Sequence, residues 1–341
     1  MDAYLKKIFS EYLTLLRSLN GTDELSLSVK GSIPIVESLA LGIRNSVSEY
    51  LKGFPHAAYD KLKQAIEGLG GALKPLMIET GDTQEMRFFE RLYRIRVGKL
   101  DSFSRGDLFH VPFELRHLVS SQRFSISGLP SLYLSGSLWA CWEELNRPDF
   151  HTIQASRYRY QSSARLLDFG FKPHYLARLR DYSLLSPEVL TAYAVCWPLI
   201  AACSVRVSAP GKPFIPEYIV PQLLLQWVRN ETDLDGLRYS STRTQENLRP
   251  WPAMNYVFPV QKQAASGYCL KLQKKFALTA PCSWSILTSS DFVDVPMSPD
   301  DWEINLNEDR SVAYYNTDFQ KCEQKLEGLA CRSVDGKVQI S

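Results

Sequence analysis

The stretch Arg123-Phe-Ser-Ile-Ser-Gly-Leu-Pro-Ser-Leu-Tyr-Leu-Ser-Gly-Ser-Leu-Trp-Ala-Cys-Trp-Glu-Glu144 decides how this chain is read. Ser131-Leu-Tyr-Leu134 has the pattern of a short buried strand, and Gly128-Leu-Pro130 turns the chain into it. Ser135-Gly-Ser137 supplies capping side chains ahead of Leu138-Trp-Ala-Cys-Trp142, and the helix so opened carries Glu143 and Glu144 on its second turn. A carboxylate held there stands rigidly beside the strand end, where Tyr133 can form the opposite wall. Singly, each residue has an ordinary reading: the glutamates as solvated helix residues, Tyr133 as core, Arg123 as a surface charge. It is their grouping that suits an anionic, sugar-bearing ligand.

Working outward, Leu92-Tyr-Arg-Ile-Arg96 alternates in the manner of a half-buried strand, which puts Arg94 and Arg96 on the face opposite Tyr93 and Ile95. Two guanidiniums on one face need negative charge between them. A pyrophosphate bound bidentately answers, and so would carboxylates such as Asp101 or Glu114. Downstream, Asp235-Gly236 turns the chain into Leu237-Arg-Tyr-Ser-Ser241, and Asn255-Tyr-Val-Phe258 reads as a further strand with Asn255 near its start.

The pieces Leu92-Tyr-Arg-Ile-Arg96, Gln122-Arg-Phe-Ser-x-x-Gly-x-Pro-x-Leu-Tyr-Leu134, Cys-Trp-Glu-Glu144, Glu217-Tyr-Ile-Val-Pro-Gln222 and Asp235-Gly-Leu-Arg-Tyr-Ser-Ser241 stand in the order seen in RES-domain proteins. The chain resembles that family from about Tyr93 to Phe258. The family is named for an Arg, a Glu and a Ser, and is best known as the toxin half of RES-Xre toxin-antitoxin pairs.

The resemblance implies an α+β fold with an ADP-ribosyltransferase-like core, two small twisted sheets with flanking helices. It implies NAD as a substrate rather than a resident cofactor, cleaved between nicotinamide and ribose. Arg94 and Arg123 would then hold phosphates, Tyr133 would stack on nicotinamide or ribose, and Arg96 and Asn255 would line the substrate site. Glu144 or Glu143 would grip the ribose hydroxyls and stabilise the oxocarbenium-like cation, with Ser241 orienting the ribose. Glu144 is preferred, because it lies eleven residues past Tyr133, the usual family spacing. Water as acceptor makes a glycohydrolase, inorganic phosphate a phosphorylase, and a protein side chain an ADP-ribosyltransferase, and the sequence does not choose among them. The expected partners are NAD, inorganic phosphate, and an antitoxin protein or a second copy of the chain. The enlarged region between Glu144 and Ser241 leaves the toxin role open.

Composition narrows the alternatives. Lys+Arg 39 against Asp+Glu 37 leaves a net charge of +2, so no global field favours nucleic acid or membrane. Seven cysteines form no CxxC pair and five histidines form no HExxH, so neither a metal site nor a disulfide framework is expected. The longest uncharged run, Val189 to Val205, contains Pro198 and is too short to span a bilayer, so a cytoplasmic location is expected. Arg157-Tyr-Arg-Tyr160, with Arg165, Arg178 and Arg180, reads as a solvated helical face rather than an RNA-stacking platform. His110 and His117 have no visible orienting partner and are set aside. The competing function class is a catalytically idle interaction protein, against which the retained Arg, Tyr, Glu and Ser argue.

Tyr4 to Leu19, about Ile35 to Leu51, and Pro55 to Leu69 show helical spacing, which predicts a helical N-terminal layer over residues 1–85. The core is then 86–265, with a C-terminal extension over 266–341 packed on it. In that extension Tyr268 to Leu272 and Ser283 to Leu287 read as strands, followed by acidic turns around Pro299-Asp-Asp301.

Overall fold

The computed structural model describes residues 1–80, 91–98, 103–170, 186–209, 211–244, 253–289, 303–307 and 310–335. Arg87 to Glu90, Asp101, Arg178, Arg180 and Pro299 to Asp301 lie outside them. The fold is α+β. It divides into one compact unit of residues 1–78, 121–127 and 165–237, and a second of 79–120, 128–164 and 238–341. The boundary falls inside three strands: β1 (Met77–Thr80), β5 (Ala164–Phe169) and β6 (Gly236–Ser240).

The first unit is mainly helical. α1 (Asp2–Ser18) buries Leu5, Phe9 and Leu16, and its Tyr12 stacks on Trp197 with ring centroids 4.0 Å apart. α2 (Glu24–Gly31) was not evident from apolar periodicity, since only Val29 is buried. Its local signal is the Asp23 cap, which accepts from Ser26 N at 3.1 Å. α3 (Ile33–Leu51) buries Val36, Leu39, Ala40, Ile43 and Val47, the stripe that one helix face presents to a core. α4 (Pro55–Glu67) lies so close to α3 that a Cβ on Gly42 would come 2.5 Å from Ala65 Cβ. α6 (Pro187–Cys203) is buried nearly all round, and α7 (Ile219–Glu231) shows its apolar side to the same core. No single helix among the described residues is both long and apolar enough to cross a membrane; α2 and α3 pass that test only as a bent pair, by length and composition.

The second unit is built on antiparallel strands in the order β7 (Met254–Pro259), β3 (Ser131–Ser135), β2 (Leu92–Val97), β4 (Ile153–Tyr160) and β8 (Phe276–Leu278), with β9 (Cys282–Ser283) also against β4. The register places Tyr133 opposite Val257 and Ser135 opposite Asn255. β2 and β3 meet at one residue pair, Tyr93 with Ser135, whereas β2 and β4 pair from Leu92–Tyr158 to Val97–Ile153. α5 (Leu138–Glu144) follows β3 directly, and Ser137 caps it by accepting from Ala140 N at 3.0 Å. α10 (Asp318–Glu327) packs against it and α9 (Trp284–Thr288) packs against α10, around a core of Tyr93, Ile95, Leu138, Trp139, Trp284, Phe319 and Cys322. β10 (Glu303–Asn307) and β11 (Arg310–Ala313) form a separate hairpin.

Three local expectations are corrected. Arg157 to Tyr160 belongs to β4 rather than a helical face; Tyr158 is fully buried and donates its hydroxyl to Leu108 O, so the period that matters there is two. Tyr268 to Leu272 leads into a helix, α8 (Leu270–Lys275), and the strand begins only at Phe276. Ser283 ends β9 and caps α9 by accepting from Ile286 N at 3.4 Å, so most of Ser283 to Leu287 is helical.

Candidate active site

Glu144 ends α5, and its side chain draws together three distant parts of the second unit. Its Oε1 accepts from Ser241 Oγ at 2.6 Å and from Asn255 Nδ2 at 2.7 Å. Asn255 is oriented in turn by Ser135 Oγ, which donates to its Oδ1 at 2.6 Å. Ser241 is 0 % exposed and Asn255 3 %, so both donors are fixed by their surroundings. Just past β6, Ser241 N donates to Ala253 O at 2.7 Å and its Oγ accepts from Arg243 N at 3.1 Å. The other carboxylate oxygen, Oε2, lies 3.4 Å from Arg243 Nε, and the Glu144 side chain is 34 % exposed. The result is a carboxylate with one oxygen locked by two buried donors and the other turned toward a partly exposed cation.

Glu143 has a different environment. It is buried, and Arg147 clasps it with Nε to Oε2 at 3.0 Å and Nη2 to Oε1 at 2.9 Å. The same guanidinium stands 5.3 Å from the Trp142 ring centre. This clamp closes a turn in which Asn146 and Arg147 both have positive φ, 62° and 55°. Left-handed backbone at two successive non-glycine residues costs about 1–3 kcal/mol each. The Glu143–Arg147 pair and the backbone bond from Arg147 N to Trp142 O at 2.9 Å offset it. Asn146, shaped by this turn, accepts from the Arg243 guanidinium.

Tyr133 is half-buried and two residues before Ser135, hence on the same strand face as Ser135 and Asn255. Arg94 and Arg96 leave β2 on the face opposite Tyr93, and Tyr93 stands across from Ser135; the pleat therefore sends both arginines to the other side of the sheet. Arg94 still reaches β3, with Nη1 3.5 Å from Tyr133 O, and burial lowers its affinity for its proton. Arg96 donates to Asp107 O at 2.6 Å and lies over Phe103. Arg123 belongs to the first unit. Its Nη1 donates to Cys203 O at 3.0 Å and Val205 O at 2.8 Å, closing the end of α6, and its guanidinium lies 5.3 Å from the Tyr218 ring centre. Gln222 holds the same loop by donating to Ser121 Oγ and Gln122 O, which gives Glu217-Tyr-Ile-Val-Pro-Gln222 a structural task.

The structure thus brings Ser241 and Asn255 onto one oxygen of Glu144 and keeps Tyr133 on the same strand face as Asn255. Ser135, expected as a helix cap, instead bonds Asn255, and Arg243 joins the group as well. Ser135 lies two residues past Tyr133 on β3, so strand alternation was the available signal for it; Arg243 lies in the bend after β6, where no period applies. His110 is buried, accepts from Cys269 N at 2.9 Å through Nε2 and meets Val111 O through Nδ1; burial pulls its pKa down to about 4. That is the environment of a neutral core histidine.

Comparison with curated proteins places the chain among relatives. It is 31 % identical over 301 residues to a protein of Bacillus subtilis (strain 168) described as "Putative toxin YopC", a match covering 85 % of this chain and 67 % of that one. The chain belongs to the YopC family. No family model matches it, and no solved structure matches it. The RES-domain resemblance within this YopC-family chain accordingly rests on the residues that carry it.

Proposed function

We propose that this protein cleaves the bond between nicotinamide and ribose in NAD, with Glu144 as the catalytic carboxylate. The observation that carries the reading is the Glu144 environment: one oxygen immobilised by Ser241 and Asn255, the other partly exposed beside Arg243. Departure of nicotinamide leaves positive charge on the ribose ring. A carboxylate already oriented toward that charge stabilises the transition state more than the ground state, with no reorganisation at the moment of reaction. Ser241 and Asn255 act through Glu144 as positioning residues. Tyr133 offers an aromatic surface on the same strand face, and Arg243 meets the anionic part of the substrate.

The acceptor is water or inorganic phosphate in this reading. Loss of NAD would account for a toxic role like the one in the YopC description, and an antitoxin protein that covers Glu144 would restrain it. Incubation of the purified full chain with NAD, with and without phosphate, tests the proposal by chromatography. Free nicotinamide with ADP-ribose indicates hydrolysis, and free nicotinamide with a phosphorylated ADP-ribose indicates phosphorolysis. Nicotinamide release only when a protein target is added would make it an ADP-ribosyltransferase. No release under any of these conditions would leave the interaction-protein reading.

A further inference from the structure

The C-terminal segment carries no chemical motif in the sequence, yet it sends one buried carboxylate to the start of the helix that ends in Glu144. Glu323, on α10, is 2 % exposed. It accepts from Leu138 N, the first amide of α5, at 2.7 Å, and from Tyr314 Oη at 2.5 Å, both at Oε1. Ser137 satisfies the amide of Ala140, so two side chains from different parts of the chain divide the first turn of α5 between them. Leu138 and Trp139 pack against Phe319, Cys322 and Leu326 of α10, which fixes the axis of the helix as well as its end. Six residues further, about 9 Å along the helix, the same rigid body delivers Glu144 to Ser241 and Asn255.

We propose that Glu323 is a positioning residue for the site: by holding the first amide of α5 it sets where the Glu144 carboxylate stands, so that residues 314–327 belong to the working machinery. The inference rests on the assignment of Glu144 above. The surroundings of Glu323 suit the task. Facing it are Tyr314 from the preceding turn, Tyr93 and Arg91 from the β2 side, Cys141 from α5, and Cys322 and Glu327 from its own helix, and Arg157 of β4 bonds to Glu327 O at 3.2 Å. Burial outweighs the Tyr314 and Leu138 bonds and pushes the Glu323 pKa up to about 7. Its charge therefore changes near neutral pH, at the end of a helix whose N-terminus favours negative charge.

The test compares Glu323→Ala and Glu323→Gln in the full chain. Gln keeps an oxygen for Leu138 N and Tyr314 Oη but cannot titrate; Ala removes the acceptor that the two donors share. The expected result is a kcat for NAD cleavage lowered about tenfold or more in E323A with an unchanged KM, and restored in E323Q. The wild type should also show an ionisation in kcat near neutral pH that E323Q lacks. A pH profile in E323Q that superimposes on the wild type overturns the inference, as does wild-type kcat in a folded E323A. If the wild type does not consume NAD, the reading of the site fails, and hydrogen exchange then judges Glu323 separately. Faster exchange at Leu138 to Cys141 in E323A, or in E323Q above pH 7 relative to the wild type, supports positioning; unchanged exchange in both overturns it.

Discussion

Glu143 and Glu144 are adjacent in sequence and serve different partners: Glu143 is clasped by Arg147 four residues on, whereas Glu144 receives Ser241, just past β6, and Asn255 of β7, both far along the chain. Successive helical residues point about 100° apart, so a helix packed by one face divides neighbouring carboxylates between a local turn and a remote site.

The two glutamates should therefore fail in different ways. Glu144→Gln is expected to lower NAD turnover by about a hundredfold or more while leaving the melting temperature close to wild type, because the amide oxygen still accepts from Ser241 and Asn255. Glu143→Gln breaks a half-buried charge pair and is expected to cost about 1–2 kcal/mol of stability with turnover largely retained. Thermal melts beside a nicotinamide-release assay check both, and an inactive but stable E143Q would reverse the assignment.

Ser241→Ala and Asn255→Ala each remove one donor to the same carboxylate oxygen. Either change should reduce kcat about tenfold with little effect on KM, since the lost bond orients Glu144 rather than substrate. The double variant should fall short of the product of the two, because the sites share one partner. Strictly multiplicative effects would mean that the two residues do not act through Glu144.

Arg243→Gln should raise the KM for NAD more than that for nicotinamide riboside, which lacks the pyrophosphate. It should also weaken ADP-ribose binding measured by calorimetry. Equal effects on both substrates would assign Arg243 to holding Glu144 alone.

His110 and Glu323 give stability opposite pH slopes. The folded pKa of His110, about 4, lies below its ordinary 6.5. Between those values only the unfolded chain takes up the proton, and stability is lost as pH falls through that window. The magnitude is on the order of 3 kcal/mol. Glu323 has a folded pKa of about 7 above its ordinary 4.5, so its contribution is full below pH 4.5 and lost as pH rises toward 7. Between pH 4.5 and 6.5 the two slopes oppose each other in the wild type, so denaturant midpoints measured across that range should fall with rising pH in His110→Gln and rise with pH in E323Q.

Gly42 faces Ala65 across the α3–α4 contact, 2.5 Å from where a Cβ would stand. Gly42→Ala is expected to cost about 1–3 kcal/mol by overpacking, and Ala65→Gly in the same chain should recover part of it. Calorimetric unfolding of the single and double variants checks the pair.

Much of the framework was legible in the sequence because its signals are local. Ser137 lies three residues from the amide it caps, the Leu5, Phe9 and Leu16 spacing announces α1, and alternation in Leu92 to Arg96 announces β2. Where several local codes compete, periodicity alone misassigns the element. The apolar residues after Tyr268 fit either period, and a serine cap at Ser283 turned an expected strand into α9.

The sequence by itself determined which side chains were available for a site and on which kinds of element they would sit: a strand carrying Tyr133, a capped helix carrying two glutamates, a strand end carrying Ser241. Only the tertiary structure decided which glutamate meets Ser241 and Asn255, that Arg243 rather than Arg96 stands beside that glutamate, and that Glu323 accepts from the first amide of α5. Those contacts join residues 97, 111 and 185 positions apart. Bonds of that span depend on how strands and helices pack, and side-chain spacing along a single element does not encode them.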